Sequence, residues 1–421
     1  MARAVGVPCR WSRVLAQRGR SFGVTSAGGA RRRAARAKAA EDGFAMSTNR
    51  WGLFDGNALS RAIPKQARND AGAFARRELD SGARILAVVK NKVYLDEVDP
   101  KQLGWLCRPQ VEERFGLRYT SDDDDGVSFA SASASGEEEG GVKFDLVYLG
   151  REEGGRSFFA LDLTRHRPAS ESPAFGELRS YIKENSDLLD SGERASSVSR
   201  AGYALALSNW ARGVRFCPSC GGGPMRSAQM GTRRECPSCG KKQYPRLDPV
   251  AICLVVSSDG NHALLGSPRY ASGRMLTCLA GFVEQGETLE EAAAREVMEE
   301  AGVEVGQIRI LGSQPWPLGR SGACELMVGC IARATSSPGT GRLEIDFDEM
   351  NSVTWVEKGV VAEKLKQAKD RAAGLPVEGG RGDTWIVPPY AIAHHLIDYW
   401  VNGDGNGVVA EERGDLKVSR L

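Results

Sequence analysis

Glu296, Glu299 and Glu300 stand at i, i+3 and i+4 of a segment that reads as helix, so three carboxylates share one stripe. Like charges at that spacing repel, and the cluster costs stability unless a cation sits among them. Hard divalent cations such as Mg²⁺ or Mn²⁺ take oxygen ligands from a few carboxylates and bridge to substrate phosphates. An ordinary solvated acidic face is the bland alternative. A second constellation is Cys217, Cys220, Cys236 and Cys239, spaced C-x2-C-x15-C-x2-C. Two such knuckles present four thiolates, the donor set of tetrahedral Zn²⁺, and leave no open position for a catalytic water. A structural clip is therefore expected, one zinc per chain. Arg226, Arg233, Arg234, Lys241 and Lys242 around it allow a nucleic-acid-binding ribbon or a solvated basic face. The four histidines, His166, His262, His394 and His395, sit in no nucleophile or metal motif, which argues against a histidine-based mechanism.

The acidic stripe needs a helix with defined ends. Thr288 is a good N-cap, with Glu291 three residues on as a capping box requires. Ala292–Ala294, Val297 and Met298 supply helix formers and an apolar face, and Gly302 ends the helix. Gly286 and Glu287 close the preceding loop, where Glu287 can pair with Arg295. Met275–Ala280 reads as the strand leading in. Val250–Val256, His262–Leu265, Ile308–Leu311 and Glu325–Ala332 read as further strands, and Ala391–Trp400 as a closing helix. Strands and helices alternating in this order predict a mixed sheet packed between helices.

Upstream, Ile85–Val89 and Val93–Leu95 read as a hairpin, Phe144–Leu149 and Ser157–Leu163 as a second, and 187–212 as an alanine-rich helix. Residues 121–140, with Asp122–Asp125 and Glu137–Glu139, are expected to be a disordered acidic insertion. The net charge of +2 conceals an uneven spread: residues 1–40 carry ten Lys/Arg and no acid, leaving 46 basic against 54 acidic residues elsewhere. The body, at −8, lacks the excess of a dedicated nucleic-acid binder. No apolar run reaches membrane-spanning length, so no membrane insertion is expected. Ten cysteines, four grouped and six scattered, suit a reducing compartment.

Residues 281–303 match G-x5-E-x7-R-E-U-x-E-E-x-G-U (U aliphatic) at every fixed position, through Gly281, Glu287, Arg295, Glu296, Glu299, Glu300 and Gly302. The stretch resembles the Nudix box. A cysteine ribbon before the box, and Ser313-Gln314-Pro315-Trp316-Pro317-Leu318-Gly319-Arg320-Ser321 after it, resemble the NADH pyrophosphatase branch of the Nudix hydrolases in its plant-type peroxisomal form. Leu318, Gly319 and the insertion Gly322–Glu325 depart from the branch pattern S-Q-P-W-P-F-P-x-S, which weakens inference about the grip on the nicotinamide half. Tyr244–Pro249, Glu349–Trp355, Ala391–Ala393 and, more thinly, Phe54–Arg61 match other parts of the branch.

The resemblance implies an α/β protein: a Nudix α/β/α sandwich with a mixed sheet, preceded by a zinc ribbon and an α+β N-terminal domain. The divisions expected are a basic leader at 1–47, an N-terminal domain at 50–200, the ribbon at 213–245, the Nudix domain at 246–401 and a tail at 402–421. It implies hydrolysis of NADH, NADPH or NAD to the nicotinamide mononucleotide and AMP (or its 2'-phosphate). Glu296, Glu300, Glu349 and the Ala280 carbonyl would ligate Mg²⁺ or Mn²⁺, with Glu299 assisting. One of Glu299, Glu300 or Glu349 would activate water, Glu300 being preferred. Gly281, Glu287, Arg295 and Gly302 would serve structure. Tyr244, Gln314–Ser321 and the backbone near Ala393 would meet substrate. Trp316, placed in a turn, stacks a base or packs, and Arg179 meets a phosphate or forms a surface ion pair. A homodimer is also implied.

Two further functions remain open: removal of NAD caps from RNA guided by the ribbon, and non-catalytic nucleotide sensing or nucleic-acid binding. The intact glutamates oppose the second of these. The Ser419-Arg420-Leu421 terminus resembles the S-K-L address read by the peroxisomal import receptor. The arginine-rich leader reads as a transit peptide to plastid or mitochondrion, so targeting is dual or translation starts at Met46.

Overall fold

The computed structural model describes residues 59–403 apart from 62, 65–69, 122–126, 132–141, 167–173, 187–191, 272, 320–321, 336–337, 340–341 and 378–382. The basic leader, the Phe54–Ala58 match, Arg320, Ser321 and the Ser-Arg-Leu terminus lie outside the described residues.

Val250–Val256 is buried without alternation, as befits a strand covered on both faces. It belongs to Leu247–Val256, the centre of a six-stranded mixed sheet. Cys324–Ala334 runs parallel beside it, while Leu279–Phe282 and His262–Pro268 pair with it antiparallel. Val305–Trp316 and Met350–Glu357 form the two outer edges. On one face Ala292, Ala293, Val297 and Ala301 of helix Leu289–Ala301 pack on Ala251, Cys253 and Val255. On the other, Leu365 of helix Lys358–Ala372 and Leu396, Ile397 and Trp400 of helix Ile392–Asn402 cover Ile252, Leu254 and Val256. Helices on both faces of a mixed sheet make this half an α/β/α sandwich.

The N-terminal half is a nine-stranded sheet, antiparallel but for the pairing of Arg84–Val89 with Ser157–Asp162. One face carries the core of Phe74, Ile85, Phe129 and Tyr148; the other carries Leu86, Phe158 and Ala160 under helix Gly192–Gly213. Arg212 anchors that helix, reaching Asp162 Oδ2 at 2.6 Å and the Lys90 carbonyl at 2.9 Å.

Three expectations need correction. Within the stretch expected to be disordered, Val127–Ser131 is a strand paired with Leu117–Ser121 and Lys143–Glu152. Phe129 drives it, since the ring is fully buried in the core. Met275–Ala280 is not one strand: Met275–Leu276 pairs parallel with Trp385–Ile386, and Leu279–Phe282 pairs with the centre. Finally, Val305–Trp316 far exceeds 308–311, so Trp316 ends a strand instead of sitting in a turn.

His394 in the closing helix is 1% exposed. Its Nδ1 contacts the Val387 carbonyl at 2.8 Å, and its Nε2 has no partner among the described residues. Burial pushes its pKa from 6.5 down to about 4, against the pull of that carbonyl. The unfolded chain therefore gains a proton near pH 6.5 that the folded chain refuses until about 4, and stability falls with pH across that window. Between pH 7 and pH 5, urea unfolding is expected to show the wild type losing up to about 2 kcal/mol more than His394→Gln. His394→Gln should flatten the slope.

Candidate active site

The acidic helix is built as its ends demand. The Thr288 hydroxyl accepts from Glu291 N (3.2 Å) while Glu291 Oε2 accepts from Thr288 N (2.8 Å), so both arms of the capping box close. At the other end Gly302 adopts φ 67°, a left-handed conformation suited to glycine.

Arg295 is the hub. It grips Glu287 with two bonds of 2.6 and 3.0 Å, and its remaining donors reach Glu296 Oε1, Glu299 Oε2 and the Phe282 carbonyl, each at 2.8 Å. The guanidinium holds the Glu287 carboxyl down to about 2. Glu287 in turn accepts from Glu284 N at 3.0 Å, so one arginine ties loop to helix.

Beyond the reach of Arg295 lies Glu300, 5% exposed, whose Oε2 accepts from Ala280 N at 3.1 Å. Burial, then the charge of Glu296, pushes its pKa up to about 8, and the charges of Glu349 and Asp346 push the same way. Burial also raises Glu296, against the pull of Arg295. Glu296, Glu300, Glu349 and Asp346 thus share one electrostatic neighbourhood. Glu300 and Glu349 have no ion pair among the described residues. Such a set cannot all be ionised without cations from outside, and oxygen donors on several elements suit hard divalent ions. Gly281 is required by contact: a Cβ there would overlap the Glu296 carboxyl.

Asp346 was absent from the sequence reading. Its N–H donates to the Glu300 carbonyl at 3.4 Å, and its own carbonyl and carboxylate close the turn that precedes Glu349. The Asp-x-Asp pattern at 346–348, typical of an Asx turn, was the available signal.

The residues after the box separate into different roles. Gln314 is 1% exposed; it donates to the Tyr390 carbonyl and accepts from Ile392 N, both at 2.8 Å. Its amide is a clamp on the first turn of the closing helix. Ala393, in that same turn, is buried. Trp316, Leu318 and Tyr390 pack against the N-terminal core, so this wall belongs to both halves of the chain. Arg179 donates to the Leu318 carbonyl at 2.7 Å and lies 5.7 Å from the Trp316 ring centroid, a contact neither expectation foresaw. Pro315 pairs with Leu326 in the strand, Pro317 follows the strand's end, and Gly319 lies against Glu325. Tyr244 is exposed, at the exit of the cysteine segment.

All four thiol sulfurs of Cys217, Cys220, Cys236 and Cys239 lie within 4.8 Å of one another. The separations Cys217–Cys239 and Cys220–Cys236 are 3.7 and 3.6 Å. Zn–S bonds of about 2.3 Å in a tetrahedron require sulfurs about 3.8 Å apart, so the site can hold a metal ion such as zinc. Knuckle amides favour two of the thiolates: the Cys239 N–H foremost pulls the Cys236 thiol down to about 6, and the Ser219 N–H lowers Cys217, while against the pull of the Gly222 N–H the neighbouring thiols push Cys220 up to about 12. The segment docks on the N-terminal sheet, where Met230 enters the core, its carbonyl accepts from Tyr148 N (2.9 Å), and Arg234 meets Asp145 (3.0 Å).

The NUDIX domain profile matches residues 246–375. Nudix hydrolase 19, chloroplastic, of Arabidopsis thaliana is 35% identical over 309 residues, covering 66% of this chain and 69% of that protein. The chain belongs to the Nudix hydrolase family. Human NAD(P)H pyrophosphatase NUDT13, mitochondrial, is 34% identical over 61% of this chain and 71% of its own length. Human NAD-capped RNA hydrolase NUDT12 is 36% identical over 51% of this chain, which spans only 43% of that relative. This Nudix hydrolase is an enzyme, and its box helix is the one that carries Glu296, Glu299 and Glu300.

Gly281→Ala is expected to expel the Glu296 carboxylate and cut hydrolase turnover by about 10²-fold with little change in melting temperature. Steady-state kinetics alongside thermal melting separate the two. Cys220→Ala removes an exposed sulfur, so little packing is lost. It should release the metal in a colorimetric zinc assay and lower the melting temperature.

Proposed function

We propose that this Nudix hydrolase cleaves the pyrophosphate bond of NADH and NADPH, and also NAD, releasing the nicotinamide mononucleotide and AMP or its 2'-phosphate. Support comes from a shared box, ribbon and Ser313–Pro317 segment and from the name of the NUDT13 relative. The observation that carries the reading is the crowding of Glu296 and Glu300 under burial, beside Glu349 and without a protein cation for Glu300.

Glu296, Glu300, Glu349 and the Ala280 carbonyl would hold Mg²⁺ or Mn²⁺, with Glu299 assisting. Bound there, the cations would neutralise phosphate oxygens and the charge that develops on the leaving phosphate. Glu300 would orient the attacking water and accept its proton. It is buried and has one oxygen fixed by Ala280 N. Arg295 takes no part in the chemistry; it keeps Glu287, Glu296 and Glu299 from repelling the loop. Trp316, Leu318 and Tyr244 would face the dinucleotide, and a zinc ion on the four cysteines would hold the ribbon on the N-terminal sheet.

A second reading, removal of NAD caps from RNA, rests on the NUDT12 relatives and on the ribbon sheet. There Arg226, Glu235 and Lys242 are cross-strand partners on one face, with Lys241 exposed beside them. For location, the acid-free leader and the chloroplastic and mitochondrial names of two relatives favour plastid or mitochondrion; Ser419-Arg420-Leu421 would instead address the peroxisome.

A panel of NADH, NADPH, NAD, ADP-ribose and NAD-capped RNA, with Mg²⁺ or Mn²⁺, should give the highest kcat/KM for the reduced dinucleotides. Glu300→Gln should lower kcat by about 10²-fold or more. Preference for capped RNA, with kcat/KM falling steeply as salt rises, favours the second reading. Intact dinucleotides and intact capped RNA after incubation with folded, metal-loaded enzyme would defeat both.

A further inference from the structure

Glu349 lies just outside a regular strand, and its surroundings explain how it comes to face the acidic helix. His262–Pro268 and Met350–Glu357 pair antiparallel, but the register slips: Ser267 faces Ser352, and Pro268 faces Met350. Asn351 is the extra residue of a β-bulge, a feature that commonly re-aims side chains beside active sites. Its amide nitrogen donates to the Pro268 carbonyl at 2.9 Å and to the Ala271 carbonyl at 3.5 Å. Met350 is buried against Gly266 and Leu279. Regular alternation would send its neighbour to the opposite face, away from helix Leu289–Ala301. Yet the turn that carries Glu349 is tied to that helix: Glu349 N donates to the Asp346 carbonyl at 3.3 Å, and Asp346 N donates to the Glu300 carbonyl at 3.4 Å.

Arg269 supplies the missing constraint. Its backbone N–H donates to the Glu349 carbonyl at 2.8 Å, and its Nη1 donates to the Phe347 carbonyl at 2.7 Å. From the other side, the Asp346 carbonyl accepts from Met350 N at 2.9 Å, and Asp346 N reaches back to the Glu300 carbonyl. The turn 346–349 is thus held between the acidic helix and the Arg269 loop. Neither of these Arg269 bonds goes to a carboxylate, so its charge is not spent on the cluster.

We propose that Arg269, with the bulged Asn351, is a positioning device for Glu349: the pair fixes the main chain of Phe347–Glu349 so that the carboxylate faces Glu296 and Glu300. The inference rests on the reading of Glu349 as a cation ligand given above. Arg269 acts through the turn and touches neither cation nor substrate. Lysine in its place keeps the backbone bond and can renew the one to Phe347 in part.

The test uses the full-length, zinc-loaded protein. Calorimetric titration with Mn²⁺ in the absence of substrate is run beside kcat and KM for NADH and thermal melting. Arg269→Met is expected to weaken Mn²⁺ binding about tenfold, to lower kcat more than it alters KM, and to leave melting nearly unchanged. Arg269→Lys should recover part of the loss. Because the two residues act as one unit, Arg269→Met combined with Glu349→Gln should be no worse than Glu349→Gln alone. Normal Mn²⁺ affinity in Arg269→Met, beside a weakened Glu349→Gln, overturns the device and leaves Glu349 as a ligand. Unchanged affinity in Glu349→Gln brings down the underlying reading and the device with it. Additive losses in the double variant also overturn the proposal, since Arg269 would then act elsewhere. Should Arg269→Met melt below the assay temperature, Asn351→Ala carries the same comparison.

Discussion

Negative charge is packed more densely around helix Leu289–Ala301 than the protein itself can neutralise. Arg295 satisfies Glu287, Glu296 and Glu299, but Glu300 is buried beyond its reach and lifted to about 8. Burial and mutual repulsion both disfavour ionised carboxylates, so at neutral pH Glu300 keeps its proton unless a cation arrives from outside. Much of the local architecture follows from this unresolved repulsion. The capping box and Gly302 hold the helix ends, Gly281 leaves space for the Glu296 carboxyl, and Ala280 N steadies Glu300.

The box helix lies on one face of the mixed sheet, and the closing helix lies on the other. Gln314 ties the edge strand Val305–Trp316 to the first turn of the closing helix. The strand then delivers Trp316 and Leu318 onto the N-terminal core, and Arg179 closes on the Leu318 carbonyl. The cysteine segment, whose own core is little more than Cys217, Met225 and Cys236, also leans on the N-terminal one through Met230, while Arg234 pairs with Asp145. A site assembled this way depends on both halves of the chain.

Legibility followed the range of the interaction. Thr288, Glu291 and Gly302 were readable because capping acts within a few residues. The paired knuckles were readable because chelation fixes their spacing. The alternating Val127–Ser131 strand was hidden by its acidic flanks, and only the burial of Phe129 reveals it. Gln314 carried a family role in sequence, but its amide was consumed by the backbone of Tyr390 and Ile392, seventy-six and seventy-eight residues away. No local pattern announces a partner at that distance.

By itself the order of residues determined the acidic stripe, its caps, the four-thiolate spacing and the α/β alternation, since each arises from chain geometry over one or two turns. Tertiary structure alone decided how strongly Glu300 is buried, which carboxylates Arg295 reaches, and how a bulge at Asn351 turns Glu349 toward the helix. Those outcomes depend on solvent exclusion and on charges brought together from distant segments, quantities that exist only once the chain has packed.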